Sequence, residues 1–210
     1  MTKVPIYTIG YGNRSITDFI GLLQKYKINF LIDVRSRPYS RYNPDFSKEA
    51  LERKLKQARI SYVFMGDTLG GRPSDSTCYV DGKVNYATVR EKAFFQNGIE
   101  RIQTAWEKQL YVALMCSESK PHECHRSKLI GVTLFKEGID VTHIDENGML
   151  KNQEEVIQIL EGLQPSLPSF GEQNEIIGFS RKQYTHGMRN EITSSKGERK
   201  SPGYDLSLTE

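Results

Sequence analysis

Apolar and polar positions along the chain follow two periods. Short apolar or β-branched runs at residues 4–9, 30–34, 61–65, 110–115 and 141–144 predict five strands. Between them, apolar side chains recur three and four apart, as with Phe19, Ile20, Leu22 and Leu23 in residues 16–26 and Leu51 and Leu55 in residues 47–58. That spacing predicts helices, with Asn13 or Ser15 capping the first and Ser47 the second. Further helices are predicted over residues 86–108, interrupted near Gly98, over 124–137, closed by Gly138, and over 153–163. The run at residues 30–34 is almost wholly apolar, as in a strand covered on both faces. Strands spaced by helices predict an α/β fold: a Rossmann-like, mostly parallel sheet of about five strands with helices on both faces.

The pattern also predicts where the fold stops. Residues 1–164 read as a single α/β domain. Pro165, Ser166, Pro168, Ser169 and Gly171 then mark a linker, and few large apolar residues follow. Residues 165–210 therefore predict a linker and a partly ordered or disordered tail. Within the domain, residues 66–85 contain Gly70, Gly71, Asp81 and Gly82 and predict a long loop, a segment type that often carries function.

In an open parallel sheet, ligands bind outside the carboxyl ends of the strands. The predicted strands deliver a polar, reactive set there: Gly10, Tyr11 and Gly12 after the first, Asp33, Arg35, Arg37 and Arg41 after the second, Cys116 and Glu118 after the fourth, His143 and Asp145 with the fifth. Gly10 and Gly12 mark a tight turn and a place where a small ligand could approach the backbone, but the third glycine of a dinucleotide fingerprint is missing, so no NAD site follows. Arg35, Arg37 and Arg41 offer planar forks suited to phosphate or carboxylate, in a loop stiffened by Pro38 and Pro44. The plainer reading is a solvated loop whose arginines pair with Asp33, Asp45 or Glu49. Leu69, Gly70, Gly71 and Arg72 could form a backbone nest or lid near the site, or a plain turn.

Cys116 follows an apolar strand, and Cys124, His125 and Arg126 fall where a helix begins. Helix N–H groups there could lower the Cys124 thiol pKa. Two basic residues in a first turn oppose the helix dipole, and an anionic ligand or a thiolate would offset them. Three readings stay open. Cys116 or Cys124 is a nucleophile with His125 as base and Glu118 as general acid or base; the thiols are buried packing residues beside a binding Arg126; or Cys116, Cys124, His125 and His122 hold a metal, although the spacing matches no common zinc pattern. The expectation is no metal and no cofactor.

Charge narrows the partners only slightly. The net charge is +3, with a pI near 8.6, which accommodates nucleic acid or phosphate without requiring either. Three cysteines, Cys78, Cys116 and Cys124, are too few and odd in number for a secreted disulfide framework, so a cytoplasmic setting is expected. The mean hydropathy of −0.55 and the strand-like run that follows Met1 predict no signal peptide and no membrane span.

Taken together, Thr8, Ile9, Gly10, Asp33, Val34, Arg35, Ser36, Pro38, Ser40, Arg41, Asn43, Pro44, Phe46, Leu69, Gly70, Gly71, Cys116, Glu118, Pro121, Cys124, His125, Arg126, His143 and Ile144 resemble the family catalogued as domain of unknown function 488. The resemblance runs from about Ile6 to Ile144. It implies a compact Rossmann-like domain in bacterial or archaeal cytoplasm and no particular reaction. Family members often carry histidine and serine after the first glycine, where this chain has Tyr11 and Gly12. The expected activity is that of an enzyme on a small anionic, phosphorylated or nucleotide-like substrate, with nucleic acid compatible. The alternatives are a non-catalytic nucleotide or nucleic-acid binding module and a thiol-redox or metal-handling protein. The oligomeric state is not encoded in these features.

Overall fold

The structure, a computed structural model, describes residues 3–162. Five parallel strands form the sheet: β1 (Ile6–Gly10), β2 (Phe30–Asp33), β3 (Ser61–Phe64), β6 (Val112–Cys116) and β7 (Val141–Ile144). A sixth, β8 (Leu150–Asn152), pairs antiparallel with β7, so the order is β3-β2-β6-β1-β7-β8. The fold is mixed α/β and Rossmann-like, as the pattern predicts. The expected count of about five strands omits β8, because three residues after a turn leave no readable alternation.

The remaining elements follow the apolar stripes. Helices α1 (Ile16–Lys25) and α2 (Lys48–Gln57) bury Phe19, Leu23, Leu51 and Leu55 against Ile9, Leu31, Ala113 and Met115 on one face. Helices α5 (Ala93–Glu107) and α6 (Val132–Lys136) cover the other face, where Phe95, Ile99, Ile102 and Leu134 meet Ile32, Val112, Leu114 and Cys116. The strand β6 is buried at every position, so its alternate side chains feed both cores. Ser15 caps α1 by accepting the Asp18 N–H at 3.1 Å. No helix among the described residues is long and apolar enough to cross a membrane.

Two expectations are corrected. The helical stretch from Tyr86 breaks at Glu91 and Lys92, between α4 (Tyr86–Arg90) and α5, and not near Gly98. Gly98 lies inside α5, where a side chain would run into Leu69 and Thr68, so the glycine serves close packing of the helix. The stretch at residues 66–85 is not a plain loop either. It holds the short α3 (Gly66–Leu69) and a hairpin of β4 (Tyr79–Val80) and β5 (Lys83–Val84), turned by Asp81 and Gly82 with φ of 51° and 73°. The last helix, α7 (Gln153–Leu160), ends the described fold. The predicted linker and tail at residues 165–210 lie outside the described residues.

Candidate functional site

The strand order creates a switch point. The connection leaving β2 runs outward to β3, while the connection leaving its neighbour β6 runs the other way, past β1 to β7. Such a divergence opens a crevice at the carboxyl ends of the two strands. A cleft of about 750 Å³ lies there, walled by the segments that follow β2 (Arg35, Ser36, Arg37, Tyr39) and β6 (Ser117, Glu118, Cys124, His125).

Behind the cleft, β6 and the start of the next helix bring two thiols together. Cys124 Sγ is 2.8 Å from Cys116 Sγ, 3.1 Å from Glu118 Oε2 and 3.5 Å from His125 Nδ1. One thiol proton thus faces three acceptors. Burial pushes the Cys124 thiol well up, and the neighbouring Cys116 and Glu118 add to the rise. The idea that helix N–H groups lower it is therefore corrected: the Arg126 N–H reaches Cys124 Sγ at 3.4 Å, but desolvation and like charge outweigh it. Burial also raises the Glu118 carboxyl, yet bonds from the two thiols and from its own backbone N–H more than compensate and hold it at about 2. Glu118 is ionised at neutral pH and acts as an acceptor.

His125 has a defined tautomer. Its Nε2 lies 3.0 Å from the Val34 carbonyl, which only accepts, so Nε2 carries the hydrogen. Burial pushes the imidazole pKa down, leaving it neutral with the Nδ1 lone pair toward Cys124. Gly71 packs on this ring, and any side chain there would collide with it.

Arg126 does not project into the cleft. Its side chain is fully buried and turns back, with Nη1 donating to Cys116 Sγ at 2.8 Å and to the Glu118 carbonyl at 2.6 Å, and Nη2 to the Ser119 carbonyl at 2.9 Å. The unfavourable position in the first turn is thereby resolved within the protein: the cation serves the chain leaving β6 and not the helix. The turn that carries it, Arg126–Gly131, is a π-helix, a form that recurs at functional sites. Gly10 completes this packing, because a side chain there would strike the Glu118 carbonyl and the Arg126 guanidinium.

Asp33 and Arg35 form the opposite wall. Arg35 Nε and Nη2 reach Asp33 Oδ1 and Oδ2 at 2.9 and 2.6 Å, and Tyr62 donates to Oδ2 at 2.8 Å. The third guanidinium nitrogen, Nη1, is buried and has no hydrogen-bond partner among the described residues. Ser47 is the N-cap residue of α2, as expected, but its side chain makes no capping bond; its hydroxyl accepts from the Ser40 N–H at 3.2 Å and pins the arginine loop.

The structure thus brings Arg35, Arg37, Gly71, Glu118, Cys124 and His125 to one cleft, with Cys116, Arg126, Asp33 and Gly10 directly behind. Arg41 is exposed and outside the cleft lining, and Gly70 packs against Gly66 and Ser36. His143 stands apart, fully buried between Thr8 and Gln153. Arg72, from the predicted nest or lid segment, lines the cleft, and sequence reasoning missed Tyr79 and Tyr86, which line it from the long connection. The hairpin signal at Asp81 and Gly82 could have located Tyr79. The two sulfurs and a Glu118 oxygen lie within 4.8 Å of one another, a set suited to a soft divalent ion, although Arg126 already places a fixed cation against it.

Fold and site together define a Rossmann-like α/β protein with a thiol, carboxylate and imidazole at a strand-end cleft. The family model described as "Domain of unknown function DUF488" matches residues 15–133, more than half of the chain, and the chain belongs to that family. Gly10 and His143 fall outside the matched range. No curated protein and no solved structure matches the chain.

Proposed function

We propose that the chain is an enzyme acting on a small anionic substrate of phosphorylated or nucleotide-like chemistry. Cys124 is the nucleophile. Its S–H proton passes to His125 Nδ1 as the sulfur bonds to an electrophilic centre of the substrate, whose leaving group departs with the bonding pair. The imidazolium formed is stabilised by the ionised Glu118. Cys116 and Arg126 position this set from behind, and Arg35, Arg37 and Arg72 hold the anion. One observation carries the reading: a buried guanidinium, paired on one edge with Asp33, keeps a donor with no hydrogen-bond partner among the described residues, in a side chain that lines the cleft beside the thiol.

The test joins the two halves. Pyrophosphate and ADP are titrated calorimetrically at two salt concentrations, and iodoacetamide labelling of Cys124 is followed by mass spectrometry. Binding that weakens with salt and protects Cys124 is expected, with weaker binding in Arg37→Ala and Arg72→Ala. A Cys124 that labels only after denaturation would leave a non-catalytic binding module; failure of both ligands to bind would remove the anion site.

The 2.8 Å separation of the sulfurs favours a second reading, a dithiol that cycles. Joining Cys116 to Cys124 would release two protons and two electrons to a small disulfide, reducing it to two thiols. Incubation with glutathione disulfide should then remove two hydrogens from the native protein's mass; an unchanged mass rejects this reading.

A further inference from the structure

Residues 35–46 carry three arginines and one acid, Asp45. Asp45 is paired with Lys54 at 3.2 Å, and Arg35 is engaged by Asp33. Arg37 and Arg41 are exposed and form no ion pair among the described residues. Interleaved with them are the most exposed large apolar side chains of the described fold, Tyr39 at 73% and Tyr42 at 95%. The backbone beneath is not loose. Lys48 N–H donates to the Pro38 carbonyl at 2.9 Å, Asn43 N–H to Ser40 Oγ at 3.3 Å, and Asn43 Nδ2 to the Arg14 carbonyl at 3.2 Å. Phe46 anchors the far end, stacked on Tyr11 with ring centroids 4.3 Å apart.

A loop that is unpacked exposes rings incidentally. One that is pinned at four points and still holds two aromatic rings in water presents them, at little further cost in entropy when a partner stacks on them. Cation, ring, cation, ring is the alternation that tracks an unpaired strand, with guanidinium groups on phosphates and rings on bases. A duplex hides its base faces in its own stack, and an acidic peptide would satisfy the arginines but leave the tyrosine faces unused. Arg37 and Tyr39 also line the cleft, whereas Arg41 and Tyr42 lie beyond it, so the alternation leads from solvent to the thiol.

We propose that residues 37–42 form a platform for single-stranded nucleic acid, which delivers a nucleotide of the strand to the cleft. The inference rests on the reading of the cleft as an anion site for its inner end only.

Anisotropy titrations with labelled oligothymidylate and oligouridylate of roughly 12 nucleotides, and with a duplex of equal length, test it. Either single strand should bind more tightly than the duplex, and more weakly as salt rises. Tyr42→Ala should weaken single-strand binding roughly ten-fold and leave ADP binding to the cleft unchanged. Arg41→Ala should weaken it and flatten the salt dependence. Single-strand binding that is absent, matched by the duplex or indifferent to Tyr42→Ala overturns the platform. Failure of the cleft reading looks different: ADP and pyrophosphate do not bind, while the strand still binds through Tyr42.

Discussion

His125 and His143 are both held neutral by burial, and both belong to the sheet's carboxyl end, yet their surroundings differ in one respect. His143, on β7, is closed on both sides: Nδ1 meets Thr8 Oγ1 at 2.7 Å, and Nε2 meets Gln153 Oε1 at 2.8 Å, with Gln153 Nε2 passing on to Ser127 Oγ at 3.3 Å. Every polar atom of that ring has a structural partner. His125 is tied on one side only, through Val34, and its other nitrogen faces a thiol at the wall of the cleft. Burial and a lowered pKa are common to both rings, so neither marks a site. What separates them is whether the second ring nitrogen meets a fixed polar group or a thiol.

The largest effect expected is on the closed side. His143→Leu takes the ring partner from Thr8 Oγ1 and from Gln153 Oε1 and should cost about 3 kcal/mol at pH 7, read by urea unfolding. Acid makes this side revealing. The folded His143 stays neutral down to about 3, while the unfolded chain's histidine takes up a proton near the ordinary histidine pKa. The unfolded state binds more protons within that window, so native stability falls as the pH falls through it. The variant lacks this loss, and its deficit should narrow between pH 7 and pH 5; a constant deficit would mean that the histidine is not buried neutral.

Next comes Glu118, with the opposite partner logic. Its depressed carboxyl contributes stability above the ordinary carboxylate range, lost as the pH falls toward about 2. Because the side chain is partly exposed, the contribution is about 1 kcal/mol after screening. Glu118→Gln also removes the charge that would stabilise the imidazolium formed when His125 takes the Cys124 proton, so Cys124 alkylation in the free protein should slow. Faster alkylation would show that repulsion between Glu118 and the thiolate outweighs that support.

On the open side, His125→Ala should cost about 1 kcal/mol, less than His143→Leu, but slow Cys124 alkylation about ten-fold. Equal stability losses with unchanged alkylation would erase the distinction between the two rings. Smallest is Tyr62→Phe, which removes one donor from Asp33 and leaves the Arg35 fork; about 0.5–1 kcal/mol is expected by thermal unfolding.

What could be read from the chain follows the same division between local and non-local causes. The five parallel strands and the position of Cys116 were legible because period and burial are written in consecutive residues. Arg35 and Asp33 lie two apart and pair on the strand end they share. The fate of Arg126 was not legible: its position in a first turn suggested a ligand, whereas the guanidinium folds back on the Glu118 and Ser119 carbonyls, in the irregular segment just before it whose course follows no period. Tyr86 reaches the cleft at the end of a connection whose helix and hairpin are too short to show a period. Strand order is likewise absent from local pattern, and with it the switch point that locates the cleft.

That order has a consequence for how the protein comes into being. The strand β6 lies between β1 and β2 although it follows them by some distance in the chain. Until it is inserted, the first two strands have no common neighbour, and the loops they carry stay apart. Assembly of the cleft is therefore tied to the arrival of one late segment, which brings the central strand and both thiols together. During synthesis on the ribosome, the two halves of the site must wait for that piece, and a chain halted before Val112 would hold the arginine wall with nothing to face it.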